Sequence, residues 1–255
     1  MARLLRVAST SIRRRLFASI APIPVPKTIT GLVLWLKADE GPDQTSDGSA
    51  ITTWADQSDE GNDFTQSEPS KKPTIETGEL NSLPIIRFDG DDWLQADTQV
   101  FDTAKKYTIF AAAKSPGTFG SSAIILGSMT GSSGVMLAWH GVYENSIFGS
   151  ITGYLDAYHR DLSADTWHYL TLTVDAVTDT DGPMSLRMDG SLGANGGPST
   201  DKARGANNAN TATGGTVSSS SELTGDIAEI VVYDSALSSG DVTTIEDYIT
   251  DKYNL

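Results

Sequence analysis

The chain has 255 residues and a formal net charge of −15, with 33 acidic residues against 18 basic residues and no cysteine. A strongly acidic chain repels polyanions, so nucleic acid is excluded as a principal partner. The lack of cysteine excludes a disulfide scaffold, thiolate catalysis and cysteine-ligated zinc.

The first part of the chain has the opposite charge to the rest. Residues 1–38 contain seven basic residues and no acidic residue, whereas the 217 residues that follow carry −22. Within residues 1–20, apolar side chains recur at three- and four-residue spacing, which predicts an amphipathic helix. The docking residues that we expect on this helix are Leu5, Arg6, Ile12, Arg13, Arg14, Arg15, Leu16 and Phe17. Three prolines within residues 21–27 then predict an extended, stiff spacer.

Three functions fit this basic arm, residues 1–27. An arginine-rich, acid-free, amphipathic segment is typical of an organellar transit peptide. It is also typical of a helix that lies on an anionic membrane surface, although the acidic remainder of the chain would be repelled there. The third function is docking, in which the apolar stripe packs on a partner protein and the arginines pair with carboxylates. We adopt docking as the working hypothesis, and a neighbouring copy of this chain is one partner with suitable charge.

From residue 28 onward the pattern is that of short strands. Segments rich in β-branched and aromatic residues are separated by clusters of Gly, Pro, Asp and Asn. These segments are residues 31–38, 83–90, 106–114, 122–128, 134–140, 168–176, 184–190 and 225–236. The pattern predicts an all-β fold, a two-sheet antiparallel sandwich. Asp189-Gly190 predicts a type I′ hairpin turn, because both central residues of that turn need positive φ.

Two acidic loops are candidates for calcium. The first carries Asp56, Asp59, Asn62 and Asp63, and the second, residues 88–93, carries three more aspartates. Calcium takes roughly six to eight oxygen ligands from flexible loops. Asp and Asn are also common turn formers, so the loops have a second explanation. No cofactor is predicted, and calcium at the four residues of the first loop is kept as the alternative.

Sugar binding would use aromatic faces beside hydrogen-bonding groups. Residues 137–146 and 153–161 combine the two. The candidate stacking residues are Trp139, Tyr143, Tyr154 and Tyr158. The alternative is that these rings fill the core of the sandwich, where large aromatic side chains are common. The other tryptophans are all expected in the core: Trp35, Trp54, Trp93 and Trp167.

The last part of the chain divides into a polar stretch and a helix. Residues 193–221 contain no aromatic residue and one valine, which predicts a long polar loop or a weak strand flanked by loops. Near the end, Val242, Ile245 and Ile249 share a helical face. Ser238, with Asp241 three residues on, resembles a capping box, so a closing helix should begin there.

Several segments together resemble a known family. They are "GLVLWLKADEG" (31–41), "WADQSDEGNDFTQ" (54–66), "LPIIRFDGDDWLQ" (83–95), "YTIFAAAK" (107–114), "DTWHYLTLTVD" (165–175), "MSLRMDG" (184–190) and the end segment from "LTGDIAEIVVYDSALS" to Leu255. Over roughly residues 30–255 the chain is similar to the concanavalin A-like, laminin-G-like jelly rolls of bacterial surface proteins and phage virion proteins. The resemblance implies residues 28–255 as the jelly-roll domain, with residues 1–27 as an extended or helical arm and a short C-terminal helix.

Catalytic patterns are sparse. The resemblance makes glycan cleavage worth testing, and that chemistry uses two carboxylates roughly 5–9 Å apart. The tight Glu-x-Asp-x-Glu pattern of glucanases on this fold does not occur. Asp226 and Glu229 are the nearest pair, and their odd spacing along a strand predicts opposite faces. The three histidines lie in no metal motif, and the catalytic residues are therefore predicted to be none.

The resemblance and the arm together lead to a functional expectation. We expect a non-enzymatic phage virion surface protein, such as a capsid decoration, fibre or tail-associated subunit, located on the virion surface. The expected partners are capsid or tail proteins through residues 1–27, further copies in a homo-oligomer such as a trimer, and host glycans. Nucleic acid and a membrane span are not expected. The alternative is a secreted or cell-surface carbohydrate-binding module, and a weaker alternative is a glycan-cleaving enzyme.

Overall fold

A computed structural model describes residues 26–100, 105–118, 123–130, 133–140, 146–151, 155–160, 162–175, 184–195, 210–215 and 221–255. Within these ranges the chain forms eighteen strands, β1 to β18 in chain order, two single-turn 3₁₀ helices (Pro26–Thr28 and Pro69–Lys71) and one α-helix, α1 (Ser239–Tyr253). The eight predicted docking residues of the arm lie outside the described residues, and so do Tyr143 and Tyr154.

The strands pair into two antiparallel sheets. Sheet A contains β1 (Leu32–Lys37), β2 (Ser49–Ala50), β5 (Thr74–Leu80), β6 (Leu83–Asp89), β8 (Tyr107–Lys114), β13 (Trp167–Val174), β14 (Met184–Met188), β15 (Ser191–Leu192) and β18 (Thr224–Tyr233). Sheet B contains β3 (Thr53–Trp54), β4 (Phe64–Thr65), β7 (Leu94–Ala96), β9 (Ala123–Thr130), β10 (Ser133–His140), β11 (Ser146–Ile151), β12 (Leu155–His159), β16 (Ala194–Asn195) and β17 (Thr211–Thr213). The predicted two-sheet antiparallel sandwich is confirmed.

Most neighbouring strands are also close in sequence, but β17 and β18 each lie between strands from much earlier in the chain. Sheet A runs β15-β14-β13-β8-β18-β6-β5-β2, with β1 also paired to β18. Sheet B runs β16-β12-β11-β10-β9-β17-β7-β4-β3. The chain passes from sheet A to sheet B between β15 and β16, and a Cβ at Gly193 would lie 2.4 Å from the Tyr158 carbonyl oxygen. Only glycine therefore fits this crossing.

The main core lies between the sheets. Along β13, Leu170, Leu172 and Val174 are fully buried and belong to it, whereas the residues between them face the other way. From sheet B, Trp54 and Trp139 enter the same core. The period-2 alternation that predicted β13 therefore orients its side chains correctly.

Helix α1 covers the opposite face of sheet A. Val242, Ile245 and Ile249 are buried against that face, as predicted from their spacing. Ser238 is the N-cap, and its hydroxyl accepts a hydrogen bond from the Asp241 amide at 3.2 Å, so the predicted start of the helix is confirmed. The central strands of sheet A, β8 and β18, are thus buried on both faces. The one α-helix of the described residues packs on sheet A, so no described α-helix covers the outer face of sheet B.

The polar stretch contributes a strand to the middle of sheet B. β17 pairs with β9 on one side and β7 on the other, which confirms the weak-strand alternative for residues 193–221. Thr211 and Thr213 are fully buried there, and the Thr213 hydroxyl donates to the Ile125 carbonyl at 2.6 Å. Elsewhere the Asp189-Gly190 turn is also confirmed, with φ of 48° and 73°.

The expected separation of Asp226 and Glu229 onto opposite faces is wrong. The pairing of β18 with β8 shifts register between Ile227 and Glu229, a β-bulge that adds one residue to β18. Asp226 pairs with Arg87, whose sequence neighbours both face the main core, so this ion pair faces the helix side. Glu229 accepts hydrogen bonds from side chains beneath α1. Both carboxylates therefore lie on the helix side of sheet A.

Candidate functional site

A polar cavity of about 250 Å³ opens on the outer face of sheet B. We call it the Trp93 pocket. Its lining consists of Thr52, Thr65, Gln66, Ser67, Trp93, Gln95 and Asp97. Thr65 and Gln95 are register partners on β4 and β7, and the next register pair along these strands, Phe64 and Ala96, faces the main core. The pocket therefore lies on the face that no described α-helix covers.

The backbone of Trp93 is fixed from both sides. Its amide donates to the Lys71 carbonyl at 3.2 Å, and its carbonyl accepts from the Gln66 Nε2 at 3.1 Å. Gln66 is itself 4% exposed, and its Oε1 accepts from the Glu68 amide at 3.0 Å. Trp93 is half-buried, so part of the indole remains accessible. The indole therefore extends into the pocket from a backbone that is held in place.

Hydrogen-bonding groups surround this ring. The rim offers the Thr65 and Ser67 hydroxyls, the Gln95 amide and the Asp97 carboxylate. The Thr52 hydroxyl accepts from the Lys72 ammonium at 2.9 Å. An aromatic face with adjacent hydroxyl, amide and carboxylate groups suits a ligand with one apolar face and a hydroxyl-bearing edge.

The acidic loop before Trp93 brings three carboxylates together. One oxygen of each of Asp89, Asp91 and Asp92 lies within 4.8 Å of the others. Asp91 forms an ion pair with Lys71 at 2.6 Å, and that hydrogen bond lowers the pKa of the Asp91 carboxyl. Asp92 is 5% exposed, and its burial, with the nearby Asp89, raises its pKa to about 6. These are the carboxylates of the described residues whose spacing suits a hard cation.

The predicted calcium residues are engaged in shaping their own loop. Asp56 accepts hydrogen bonds from the amides of Trp35, Ser58 and Asn62 at 2.8–2.9 Å. Asp63 accepts from the Asp56 amide at 2.9 Å. Asp59 forms an ion pair with Lys27 at 2.7 Å, and the Asn62 amide group donates to the Val33 carbonyl. Calcium at this loop stays a prediction.

The predicted stacking residues have different outcomes. Trp139 is 1% exposed in the main core, with its ring centroid 5.9 Å from that of His168, so the stacking prediction is wrong for Trp139 and the core alternative is correct. Tyr158 is half-buried, and the Arg160 guanidinium lies 4.5 Å from its ring centroid. Tyr158 pairs with Phe148 on the outer face of sheet B, whereas the adjacent Ala157 faces the core. Its role in stacking stays a prediction.

Tyr158 and the Trp93 pocket share a sheet face but lie far apart. From β12 to β7 the order is β12-β11-β10-β9-β17-β7, which is five strand spacings. At about 4.8 Å per spacing, the two sites are separated by about 24 Å. A ligand of one or two sugar rings would contact only one of them.

Trp93 was expected in the core, and the structure corrects that expectation. Trp54 and Trp35 are buried, and Trp167 packs against the cluster beneath α1, but Trp93 lines the pocket. A local signal was present, because "WLQA" (93–96) alternates. Leu94 and Ala96 point into the core, so Trp93 and Gln95 must point outward.

A larger cavity, about 410 Å³, lies at the end of sheet A. Four of its five charged lining residues form ion pairs within the lining, and the fifth is Asp89. Arg87 binds Asp226 through Nε at 2.8 Å and Nη2 at 3.1 Å, and Lys114 lies 3.5 Å from Asp165. Because these charges compensate one another, the Trp93 pocket is the better candidate for ligand binding.

A comparison with protein families matches most of the sandwich. The model described as the concanavalin A-like lectin/glucanases superfamily, Laminin_G_3, matches residues 88–243, more than half of the chain. Comparison with curated protein sequences gives no match. Among the residues that the structure describes, no helix has the length and apolar character that crossing a bilayer requires.

Solved structures with the same fold include carbohydrate-active proteins. Trypanosoma rangeli sialidase matches with a TM-score of 0.55 and 15% identity over 90% of this chain, which spans 34% of the sialidase. The botulinum neurotoxin serotype D binding domain matches with a TM-score of 0.59 and 12% identity, over 85% of this chain and 50% of that one.

A third structure has nearly the same extent as this domain. Domain 4 of AbnA, a GH43 extracellular arabinanase from Geobacillus stearothermophilus in complex with arabinotriose, matches with a TM-score of 0.55 and 14% identity. The match covers 86% of this chain and 98% of that domain. At these identities the likeness shows the fold, a lectin-like jelly roll. With the family match over residues 88–243, this chain belongs to the concanavalin A-like lectin/glucanase superfamily.

Proposed function

We propose that this chain is a non-enzymatic carbohydrate-binding protein that holds a neutral sugar in the Trp93 pocket. The observation that carries the proposal is the half-buried Trp93, whose backbone is hydrogen-bonded on both sides and whose ring is surrounded by polar groups. A cavity of about 250 Å³ is small compared with drug-sized sites of about 300–1,000 Å³. We therefore expect it to take one sugar ring, with any further rings in solvent.

The charge of the pocket favours a neutral sugar over an acidic one. Asp97 is the one charged residue in the lining, and the loop of Asp89, Asp91 and Asp92 directly precedes Trp93. A sialic acid carboxylate would approach the Asp97 carboxylate and would be repelled. A neutral pentose or hexose would avoid this repulsion, and its hydroxyl groups would donate hydrogen bonds to the Asp97 carboxylate.

The lining also supports binding without cleavage. Glycosidases mostly place two carboxyl groups about 5–9 Å apart, one on each side of the scissile bond. The lining provides one carboxylate, Asp97. Asp226, one of the pair considered from the sequence, is bound by Arg87, and Glu229 is fully buried beneath α1.

A glycan array followed by calorimetric titration tests this function. The purified chain is applied to an array of neutral and sialylated glycans, with arabinotriose as the first neutral probe in solution and 3′-sialyllactose as the acidic probe. We expect binding to a neutral glycan and none to the sialylated probe. If no neutral glycan binds, or if only acidic glycans bind, the proposal is wrong.

We further propose that the protein is displayed on a virion surface, docked through residues 1–27 to a capsid or tail protein and present as a homo-oligomer. The charge division of the sequence supports this arrangement, because an arm with no acidic residue is joined to a body, residues 28–255, that carries −21. The alternative location is extracellular or on a cell surface, where glycan binding alone would be the function.

The arm can be tested apart from the sugar. A deletion of residues 1–20 should lose incorporation into particles but keep glycan binding. The oligomeric state of the full chain is compared with that of a chain beginning at Thr28. If the deletion is still incorporated into particles, docking through the arm is wrong, and if both chains are identical monomers, the arm does not drive oligomerisation.

A further inference from the structure

Lys252 lies in the last turn of α1 and contacts two carboxylates at once. Its Nζ is 2.9 Å from Asp39 Oδ1 and 2.8 Å from Glu229 Oε2. The Lys252 side chain is 13% exposed, that of Asp39 is 26% exposed, and that of Glu229 is fully buried. Among the ion pairs of the described residues, this is the one in which a lysine is bonded to two carboxylates.

Glu229 is held in place by aromatic donors. Its Oε1 accepts from Trp35 Nε1 at 2.5 Å and from the Tyr248 hydroxyl at 2.9 Å. Its Oε2 accepts from the Tyr253 hydroxyl at 2.7 Å. Burial and, next, the charge of Glu229 raise the pKa of both tyrosines, so they remain protonated donors. The acid is therefore oriented toward Lys252 by three fixed contacts.

The same aromatic side chains surround the lysine. Nζ lies 5.0 Å from the Tyr253 ring centroid and 5.8 Å from that of Tyr248. The ammonium thus sits between two ring faces, a buried acid and the Asp39 carboxyl. This combination places a nitrogen nucleophile, a carboxyl carbon and a proton carrier together in a site with little water.

We propose that Lys252 and Asp39 condense into an intramolecular isopeptide bond, with Glu229 carrying the protons. The Lys252 Nζ attacks Cγ of Asp39. It already contacts Oδ1, which is bonded directly to that carbon. The N–Cγ bond forms and one Cγ–O bond breaks. Two protons leave Nζ through Glu229 and depart with the Asp39 oxygen as water, so an ammonium and a carboxylate become an amide and water without any change of oxidation state.

The reaction is favoured by the position of the groups. Holding nucleophile and electrophile in contact replaces an improbable collision with a unimolecular step. The low exposure of the site removes the water that would reverse the reaction. The surface pair Lys71–Asp91 provides the contrast, because both side chains are more exposed, at 30% and 58%, and the ion pairs of the described residues join Lys71 to Asp91 and to no buried glutamate.

The bond would join the two ends of the described domain. Asp39 follows β1 and Lys252 lies in the final turn of α1, 213 residues later. A link across so long a segment restricts the unfolded chain, as a disulfide does in other proteins. This chain has no cysteine and cannot form a disulfide, whereas a lysine–aspartate amide needs none. Both residues lie outside the matched family range, residues 88–243.

Intact-mass spectrometry of the purified full-length chain tests the proposal. We expect a mass lower by about 18 Da, one water, than the mass of the sequence. A tryptic digest should contain one branched fragment that joins the Asp39 peptide to the Lys252 peptide, because trypsin does not cleave after an acylated lysine.

Matched variants locate the bond. Lys252→Arg keeps the positive charge but lacks the amine, so it should have the full mass. Glu229→Gln should also have the full mass, and Lys37→Arg, a change at a neighbouring ion-paired lysine, should keep the deficit. If the native chain has the full mass after prolonged incubation at neutral pH, or if the deficit persists in Lys252→Arg, the proposal is overturned. Lys252→Arg decides the assignment even if Glu229→Gln does not fold.

Discussion

Replacing Trp93 with alanine is the most direct test of the pocket. The indole provides the one aromatic surface of the lining, and its main-chain contacts to Lys71 and Gln66 do not involve the side chain. Trp93→Ala should therefore leave the loop in place while it removes the stacking surface. Trp93→Phe keeps a smaller ring at the same position and is the matched control.

The size of the effect follows from the contact area. A sugar ring stacked on the accessible part of a half-buried indole would remove about 60–100 Å² of apolar surface from water, which at about 25 cal/mol per Å² corresponds to about 1.5–2.5 kcal/mol. That free energy raises Kd about 10- to 70-fold. The hydroxyl and amide contacts of Thr65 and Gln95 remain, so binding should be weakened and not abolished.

Isothermal titration with the neutral glycan identified on the array measures this change. Trp93→Phe should fall between the native chain and Trp93→Ala. Thermal unfolding of each variant shows whether the fold is retained. If Trp93→Ala is folded and its Kd is within twofold of the native value, the sugar does not stack on Trp93, and the pocket is not the binding site.

Three further predictions follow from individual side chains. Burial raises the pKa of the Asp92 carboxyl from its ordinary value of 3.8 to about 6. Between these two pH values the folded chain keeps a proton that the unfolded chain has released. The free energy of unfolding therefore falls as the pH rises through this window. Asp92→Asn should match the native chain at pH 4 and exceed it by up to about 3 kcal/mol at pH 8 in urea unfolding; a difference independent of pH would contradict this. Gly214→Ala should lower the free energy of unfolding by at least about 2 kcal/mol, because φ is +77° and the added Cβ would lie 2.2 Å from the Phe88 ring. The control Gly48→Ala has φ of +70° but open space around the added Cβ, so it should lower the free energy of unfolding by about 1 kcal/mol. Equal losses in the two variants would refute the steric argument. Tyr158→Ala should leave the Kd for a single-ring sugar unchanged, because Tyr158 lies about 24 Å from the pocket, and a clear loss in titration would show a second contact.

Short-range sequence patterns were sufficient to predict the elements that depend only on neighbouring residues. The start of α1 depends on Ser238 and Asp241, and its buried face depends on Val242, Ile245 and Ile249, all within one short segment. The Asp189-Gly190 turn likewise depends on two adjacent residues that tolerate positive φ. These features needed no information about distant residues.

The pocket itself was only partly predictable. The alternation of Trp93 and Gln95 with Leu94 and Ala96 fixes which side chains share a face, and this can be read from four residues. It does not fix whether that face is covered. Helix α1 lies over the outer face of sheet A, and no described α-helix lies over that of sheet B. This difference made Trp35 a core residue and Trp93 a pocket residue.

The sequence by itself determined the all-β class, the antiparallel strands, the closing helix and the opposite charges of arm and body, because each depends on composition or on neighbours a few residues apart. The tertiary structure decided the rest. The bulge in β18 depends on its pairing with β8, more than one hundred residues away, and it turned Glu229 toward Lys252 and the aromatic side chains beneath α1. Contacts between distant segments depend on which strands lie side by side, and short-range spacing contains no record of that order.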